Sequence, residues 1–227
     1  MHSRPRRLCK IAFALSLLSL GATTVWANAT PEELGKLQAG NLIYGSEKKT
    51  SVCFADRFIA MVGQQTNLIV GNKFFPVELG SPQLFDLPFC IFSGEGSFSL
   101  SEAERTNLRA YLSSGGFILA SPSCSNKDWE RSFRNELELC LPEHTLGKIP
   151  MTHPIFSMIH KIERLQDKKG KPVTLLGLTI NGRLVLVHSP EGLNDVSNAE
   201  GCCCCGGNEI KHPEKVNINI FTYAAVY

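Results

Sequence analysis

Four adjacent cysteines, Cys202, Cys203, Cys204 and Cys205, are the group in this sequence best suited to hold a ligand. Thiolates prefer zinc, copper or iron–sulfur centres to magnesium or calcium. Successive side chains of an extended segment point to opposite sides, so alternate members of the run can converge. Glycines flank the run on both sides and leave it free to wrap around an ion. The run therefore predicts a site for zinc, copper or another thiophilic metal.

Three further side chains are expected close to this run. Glu95 and Cys124 follow two predicted strands, and His188 ends a third, from which the cysteine loop issues. Ligands of open α/β sheets bind at the carboxyl ends of the strands. We therefore predict a metal site in which Cys124, His188 and Glu95 join the cysteine run. A carboxylate in the turn at Glu95 is equally suited to cap backbone amides, and that alternative stays open.

Disulfides are the competing interpretation of the cysteines. One of the nine, Cys9, lies in a predicted export signal, which leaves an even number for a protein in an oxidising compartment. A bond between neighbouring cysteines is strained, so pairing would join a loop cysteine to a distant partner such as Cys124. Cys90 reads as a buried small hydrophobe, and Cys53 and Cys140 read as packing residues.

Cys124 is also the weak candidate for a catalytic nucleophile. It follows a buried strand and precedes a helix, whose N-terminus favours negative charge. A nucleophilic cysteine also needs a nearby base or a lowered pKa, and the residues next to Cys124, Ser123 and Ser125, supply no base. Thiol-dependent hydrolase or redox chemistry at Cys124 is therefore the alternative to a binding role.

The N-terminus has the pattern of a cleaved secretory signal peptide over residues 1–29. Met1–Lys10 is basic, and Ile11–Trp26 is an uncharged stretch of 16 residues that ends before the small residues Ala27 and Ala29. Such a stretch is shorter than the roughly 20 residues that span a bilayer. We therefore predict a periplasmic or secreted protein with no membrane span after cleavage.

Composition predicts one globular domain over residues 30–227, with a cysteine-rich loop at 189–209. The chain has 227 residues, of which 43% are hydrophobic and 19% charged, as in ordinary globular proteins. Four of its 23 basic residues lie within the first ten, which leaves 19 against 21 acidic residues. Such a balance gives no electrostatic reason to expect nucleic acid or a membrane surface as partner. A protein partner in the periplasm or envelope is compatible with it.

Strands and helices alternate through the first two thirds of the sequence, which predicts a parallel sheet covered by helices. A capping box at Thr30–Glu33 predicts the start of a short helix, which Gly40 is expected to end. A second capping box at Ser101–Glu104 predicts another helix. The remaining predicted elements are a strand at Leu42–Tyr44, a helix at Ala55–Gln65, strands at Phe89–Ser93 and Phe117–Ala120, and a helix capped by Ser125 that buries Trp129, Phe133, Leu137 and Leu141.

The last third predicts an antiparallel hairpin and a final helix. Val173–Ile180 and Arg183–His188 flank Asn181-Gly182, a strong hairpin signal. The hairpin over 173–188 is expected at one edge of the sheet or capping it. Val216–Tyr227 fits a strand or a helix, and we predict a terminal helix.

Several motifs together resemble a known bacterial family, the domain-of-unknown-function family numbered 4159. They are Asn41–Gly45, Val52–Asp56, Gly94–Phe98, Gly115–Phe117, Cys124-Ser125, His153–Phe156, Gly182-Arg183, Ser189–Asp195, and the cysteine run through Asn208-Glu209. The resemblance covers nearly all of the chain beyond the predicted signal, and the four cysteines are its most specific mark.

The resemblance implies a flavodoxin-like, three-layer α/β fold similar to the class I glutamine-amidotransferase-like group, and it implies export. It implies no activity. From the residues we therefore predict an exported binding or assembly module whose cysteine loop holds a soft metal ion at the carboxyl edge of the sheet. The alternatives are a thiol-dependent enzyme using Cys124 and a disulfide-stapled protein-interaction module.

Overall fold

A seven-stranded sheet runs through the part of the chain that the structure describes. The structure is a computed structural model, and it describes residues 35–48, 50, 54, 57–193 and 210–227. The strands are β1 (Leu37–Ile43), β2 (Val70–Glu78), β3 (Phe89–Gly94), β4 (Phe117–Pro122), β5 (Gly147–Lys148), β6 (Leu176–Ile180) and β7 (Arg183–His188). They lie in the order β2-β1-β3-β4-β7-β6-β5.

Most of the sheet is parallel. Strands β2, β1, β3, β4 and β7 pair in parallel in that spatial order, which is the order of flavodoxin-like sheets. β6 pairs antiparallel with β7, and the short β5 pairs antiparallel with β6. The predicted α/β, flavodoxin-like class with an antiparallel hairpin at one edge is therefore confirmed.

The helices of the described residues pack on both faces of this sheet. They are α1 (Arg57–Gln65), α2 (Glu102–Ser113), α3 (Lys127–Cys140) and α4 (Pro213–Val226). Buried side chains of α1 and α4 share one hydrophobic cluster, whereas those of α2 and α3 share a second. The sheet is thus the middle of three layers. Within the described residues, no helix combines the length and apolarity that crossing a membrane requires.

The central strands β3 and β4 are buried along their whole length. Phe89 and Ile91 point into the cluster of α1 and α4, whereas Cys90 and Phe92 point into the cluster of α2 and α3. A strand buried on both faces favours a near-continuous run of apolar residues. That preference explains the continuous apolar runs from which both strands were predicted.

The other predicted elements are largely confirmed. Helix α1 buries Phe58, Ile59 and Val62, as expected, and α2 begins with the predicted capping box. The hairpin turns at Asn181-Gly182, although its first strand begins at Leu176 rather than Val173. The ambiguous C-terminal segment is the helix α4.

The prediction of a short helix that ends at Gly40 is wrong over the residues that the structure describes. Leu37–Ile43 is the strand β1, and Gly40 lies inside it. A Cβ at Gly40 would stand 2.7 Å from the Cys90 Sγ and 2.8 Å from the Leu87 Cδ1. The glycine therefore permits a close approach within the core and does not end a helix. The capping box at Thr30–Glu33 lies outside the described residues.

Strand β2 was missed in the sequence. It forms one edge of the sheet, and its residues alternate poorly between buried and exposed. Lys73 and Pro76 are exposed on it. Edge strands commonly carry lysine and proline because these residues discourage pairing with a further strand. The same residues removed the apolar alternation by which strands are recognised.

A buried hydrogen-bonded chain links Tyr44, the residue after β1, with β3 and α3. The Trp129 Nε1–H donates to the Tyr44 hydroxyl, and that hydroxyl donates to the carbonyl oxygen of Ser93 at 3.0 Å. Tyr44 and Trp129 are fully buried. Gly94 leaves room for these two side chains. A Cβ at Gly94 would stand 2.9 Å from the Trp129 Nε1 and closer still to the Tyr44 hydroxyl.

Removing the Tyr44 hydroxyl should destabilise the protein. The variant Tyr44→Phe leaves the Trp129 N–H and the Ser93 carbonyl buried without this partner, which costs about 1–3 kcal/mol. The free energy of unfolding is measured in urea. The control is Tyr227→Phe, which changes an exposed tyrosine and should leave stability within about 0.5 kcal/mol of the wild type. Equal stability of the two variants would contradict the prediction.

Candidate functional site

Loops at the carboxyl edge of the parallel strands bring the predicted site residues toward one side of the molecule. Glu95 follows β3, Cys124 follows β4, and His188 is the last residue of β7. Because β3, β4 and β7 are adjacent and parallel, their carboxyl ends meet at one edge. Glu95 is exposed, Cys124 is partly exposed and His188 is fully buried.

Cys124 occupies a strained turn between β4 and α3. Its backbone is left-handed, with φ 50° and ψ 35°, and Ser125 is left-handed as well, with φ 52°. For residues other than glycine this conformation costs about 1–2 kcal/mol each. Such strain persists where surrounding contacts enforce it, and it is concentrated at functional sites. Lys48, Asn181 and His212 have the same left-handed backbone, so the strain at Cys124 supports a site there only together with its place at the carboxyl edge of the sheet.

Hydrogen bonds from a neighbouring loop hold this turn. The Ser125 hydroxyl donates to the carbonyl oxygen of Glu191 at 2.6 Å. The backbone N–H of Leu193 donates to the Ser121 hydroxyl at 2.8 Å. The segment that follows β7 is thereby attached on both sides of Cys124.

The prediction that Ser125 caps α3 is wrong. Asn126 is the N-cap, and its Oδ1 accepts from the Trp129 N–H at 2.9 Å. The same oxygen accepts from the Gly96 N–H at 3.2 Å and so joins the loop after β3 to the start of α3. Ser125 has a left-handed backbone, with φ 52°, whereas an N-cap residue has an extended one, as Asn126 does.

His188 turns away from solvent into the layer of α3. Its ring centroid lies 4.8 Å from that of Phe133. Its Nδ1 is 3.2 Å from the carbonyl oxygen of Ala120, and its Nε2 is 3.6 Å from the Glu130 Oε1. The second distance is too long for a hydrogen bond, so it is an electrostatic contact. Both ring nitrogens therefore face protein oxygens.

The pKa values of this pair shift in the directions that burial and proximity dictate. Burial lowers the pKa of His188, because an imidazolium would be desolvated there. The His188 imidazole and the Arg134 guanidinium lower the pKa of Glu130 to about 2. Glu130 thus contributes stability that is present above its ordinary pKa of 4.5 and is lost as pH falls toward 2.

The four cysteines of the run lie outside the described residues, as do Cys53 and the predicted signal peptide. The structure describes the two ends of the segment that carries the run. Leu193 is buried, and its carbonyl accepts from the Asn217 side-chain N–H at 2.8 Å. Ile210 is buried and pairs with Asp167. Both ends are thus anchored in the hydrophobic cluster of α1 and α4.

Over the described ranges, no group of three or more histidine, cysteine, aspartate or glutamate side chains could hold a metal ion. Glu95, Cys124 and His188 therefore do not form such a group by themselves. Cys90 and Cys140 are buried packing residues, as predicted. These two cysteines are therefore not part of the candidate site.

Sequence reasoning missed Asn126 and Glu130. Asn126 carried a usable signal, because asparagine is as good an N-cap as serine and stands one residue further along. Glu130 carried only a weak one, a carboxylate four residues before Arg134. Its contact with His188 joins residues far apart in the chain, which local patterns do not show.

Stability should fall as pH drops below 6.5, the ordinary pKa of histidine. Because burial lowers the pKa of His188, the unfolded chain binds this proton at higher pH than the folded protein does. The variant His188→Gln should show a smaller fall in the free energy of unfolding between pH 7.5 and 5.5. The control His212→Asn removes an exposed histidine and should keep the wild-type profile. An unchanged profile in His188→Gln would refute this assignment.

Cys124 should be the most reactive of the described cysteines. Burial raises the pKa of Cys90 and of Cys140 to about 12, whereas Cys124 is partly exposed. After chelation of metals, iodoacetamide at pH 7.5 should modify Cys124 at least about tenfold faster, since the thiolate is the reacting form. Peptide mapping by mass spectrometry measures each rate, and unfolding in urea should bring the rates together. Comparable rates in the folded protein would contradict the prediction.

Comparison with known proteins identifies the family of this chain. Residues 35–225 match the family described as Domain of unknown function (DUF4159). No curated protein matches the chain. Since the match covers most of the 227 residues, the chain belongs to the domain of unknown function family DUF4159.

Proposed function

We propose that the protein is an exported binding or assembly module whose tetracysteine run holds a soft metal ion at the carboxyl edge of the sheet. One observation carries the proposal. Glu191 and Leu193 directly precede the segment that contains the cysteine run. Glu191 is hydrogen-bonded to Ser125 and Leu193 to Ser121, so these contacts lie on either side of Cys124 in the sequence. A partly exposed thiol in a strained turn therefore lies where the cysteine-rich segment begins.

The length of the segment is compatible with a shared site. Cys202 follows Leu193 by nine residues, and nine extended residues span at most about 30 Å. The run can therefore return to the edge where Cys124 lies. Thiolates from the run and from Cys124 would supply the soft ligands that zinc and copper prefer.

Glu95 and His188 enter the proposal differently. Glu95 is exposed at the same edge, so its carboxylate can complete a coordination sphere from solvent. His188 is fully buried, and its ring nitrogens face Ala120 and Glu130. Ligation by His188 would therefore require the ring to leave these oxygens, so we expect it to contribute less than Cys124.

The proposal includes the setting of the protein. A signal peptide over residues 1–29 would export a single domain of residues 30–227 to the periplasm or beyond. The relation of the fold to the class I glutamine-amidotransferase-like group belongs to the proposal as well, and the strand order supports it. These enzymes place a cysteine between a strand and a helix, as this chain places Cys124.

A thiol-dependent enzyme is the second candidate, and the left-handed backbone of Cys124 favours it. Cys124 is partly exposed in this conformation, between β4 and α3. Within the described residues at this edge, however, His188 is buried against α3 and is turned toward Glu130. His188 is therefore not oriented as a base for Cys124, which makes this candidate the weaker of the two.

Elemental analysis by mass spectrometry, with a parallel count of free thiols, tests the proposal. We expect about one zinc or copper ion per chain, since a soft ion is the preferred partner of thiolates. Replacing all four cysteines of the run by serine should abolish binding. The variant Cys124→Ser should weaken it at least about tenfold, because even outer partners of a metal contribute about 10- to 100-fold.

The matched control is Cys90→Ala, which removes a buried cysteine and should retain the metal. Absence of metal with almost no free thiols would overturn the proposal and leave a disulfide-stapled interaction module. Absence of metal with a rapidly alkylated Cys124 would also overturn it, in favour of thiol chemistry.

A further inference from the structure

Basic side chains are concentrated in two stretches of the chain, residues 161–171 and 211–215. Together these stretches carry seven basic and three acidic residues. The rest of the chain after residue 10 carries 12 basic and 18 acidic residues. The nearly balanced total therefore conceals one strongly basic region in an otherwise acidic protein.

Backbone pairing places the two stretches side by side. Residues 166–172 form a tight turn. The chain returns beside this turn at Ile210, which pairs with Asp167. A Cβ at Gly170 would stand 3.9 Å from the Lys211 Nζ, so the Lys211 ammonium group lies over the turn. Positive charges that are distant in the sequence thus meet on one surface.

We name the surface formed by this turn and by the start of α4 the lysine face. Its members are Lys168, Lys169, Lys171, Lys211 and Lys215, all of them exposed. All but Lys168 are without an ion pair to any residue that the structure describes. Like charges that lie close together repel each other, so the face favours an anionic partner.

The acidic residues of the two stretches have other contacts. The Asp167 Oδ1 accepts from the backbone N–H groups of Lys169 and Lys171 at 2.9 and 2.8 Å. Glu163 is paired with Lys161 at 3.0 Å, and Glu214 lies 3.5 Å from the His212 Nδ1. Three carboxylates among seven basic residues leave the region positively charged.

Ile159 adds an exposed apolar side chain beside the lysine face. Its backbone N–H donates to the Asn219 Oδ1 at 3.0 Å. Asn219 lies one turn after Lys215 on the same side of α4. Ile159 is 41% exposed. Basic residues next to an exposed apolar side chain are the two features by which proteins attach to an anionic bilayer.

We propose that the lysine face binds the surface of a bilayer that contains anionic phospholipid. The ammonium groups pair with the lipid phosphates, and Ile159 enters the boundary between the head groups and the acyl chains. The two basic stretches contain no phenylalanine, tyrosine or tryptophan, on which the bases of a nucleic acid would stack. The proposal is independent of metal binding at Cys124.

The lysine face is separate from a cavity of about 340 Å³ at the carboxyl edge, between the loops after β1 and β3. The described residues that line the cavity are Gly45, Ser46, Glu47, Ser97, Phe98 and Ser99. Phe98 packs against the cluster of α2 and α3, whereas the lysine face adjoins α4 in the other layer. The two surfaces are therefore distinct.

Co-sedimentation of the exported protein with vesicles tests the proposal. Vesicles of phosphatidylglycerol and phosphatidylcholine in equal parts should bind the protein, and vesicles of phosphatidylcholine alone should not. Raising the NaCl concentration from about 0.1 M to about 1 M shortens the Debye length from about 10 Å to about 3 Å and should weaken binding at least about tenfold.

Two double variants of equal charge locate the binding surface. Lys169→Gln/Lys171→Gln should weaken binding to the mixed vesicles about 25-fold, since each lysine near an anionic bilayer contributes about fivefold. The matched control Lys73→Gln/Lys127→Gln removes two exposed lysines on β2 and α3 and should bind as the wild type does. Both variants share the wild-type N-terminus, so the basic residues of Met1–Lys10 do not affect the comparison.

A third variant addresses the apolar contact. Ile159→Ser should weaken binding to the mixed vesicles about threefold, because part of one apolar side chain is no longer buried in the interface. Failure of the wild type to bind the mixed vesicles, or an equal loss in the two double variants, would overturn the proposal. Binding of polyglutamate without binding of vesicles would also overturn it, in favour of an acidic protein partner.

Discussion

The burial of β3 and β4 on both faces is the constraint on which the rest of the structure depends. These strands separate the two hydrophobic clusters, so every residue along them must be accommodated by a helix layer. Their register pairs Gly94 with Pro122, so the two strands end level with each other. β7 joins β4 with Ala120 opposite His188. The chemistry-bearing loops therefore emerge together at one edge, because of how the strands pair.

Polar contacts then organise that edge into two regions. The Asn126 side chain accepts from Gly96 and from Trp129, and so fastens the loop after β3 to the start of α3. On one side of this connection lies the cavity between the loops after β1 and β3. On the other side lies Cys124, where the segment with the cysteine run begins. One edge thus carries two separate features, the cavity and the left-handed turn at Cys124.

Much of the fold was predictable because its signals are local. A capping box acts within one turn, as at Ser101–Glu104, and Asn181-Gly182 sets a hairpin through the backbone of two residues. Apolar runs predicted β3 and β4 because both faces of each strand are buried. Where a signal was local but ambiguous, as at Gly40, the prediction failed. That glycine serves the contact with Cys90 across the sheet rather than the end of a helix.

The sequence by itself determined the element types of the buried strands β3 and β4, of the hairpin and of the helices α1 to α4. Soft-ligand chemistry at the cysteine run and a site role for Cys124 stay predictions from residue type. Only the tertiary structure decided that Cys124 is strained, that His188 is buried against Glu130, and that a cavity lies between the loops after β1 and β3. Each of these features depends on contacts between residues far apart along the chain. Residue type and spacing indicate which chemistry a side chain is capable of, whereas tertiary packing decides which residues it contacts.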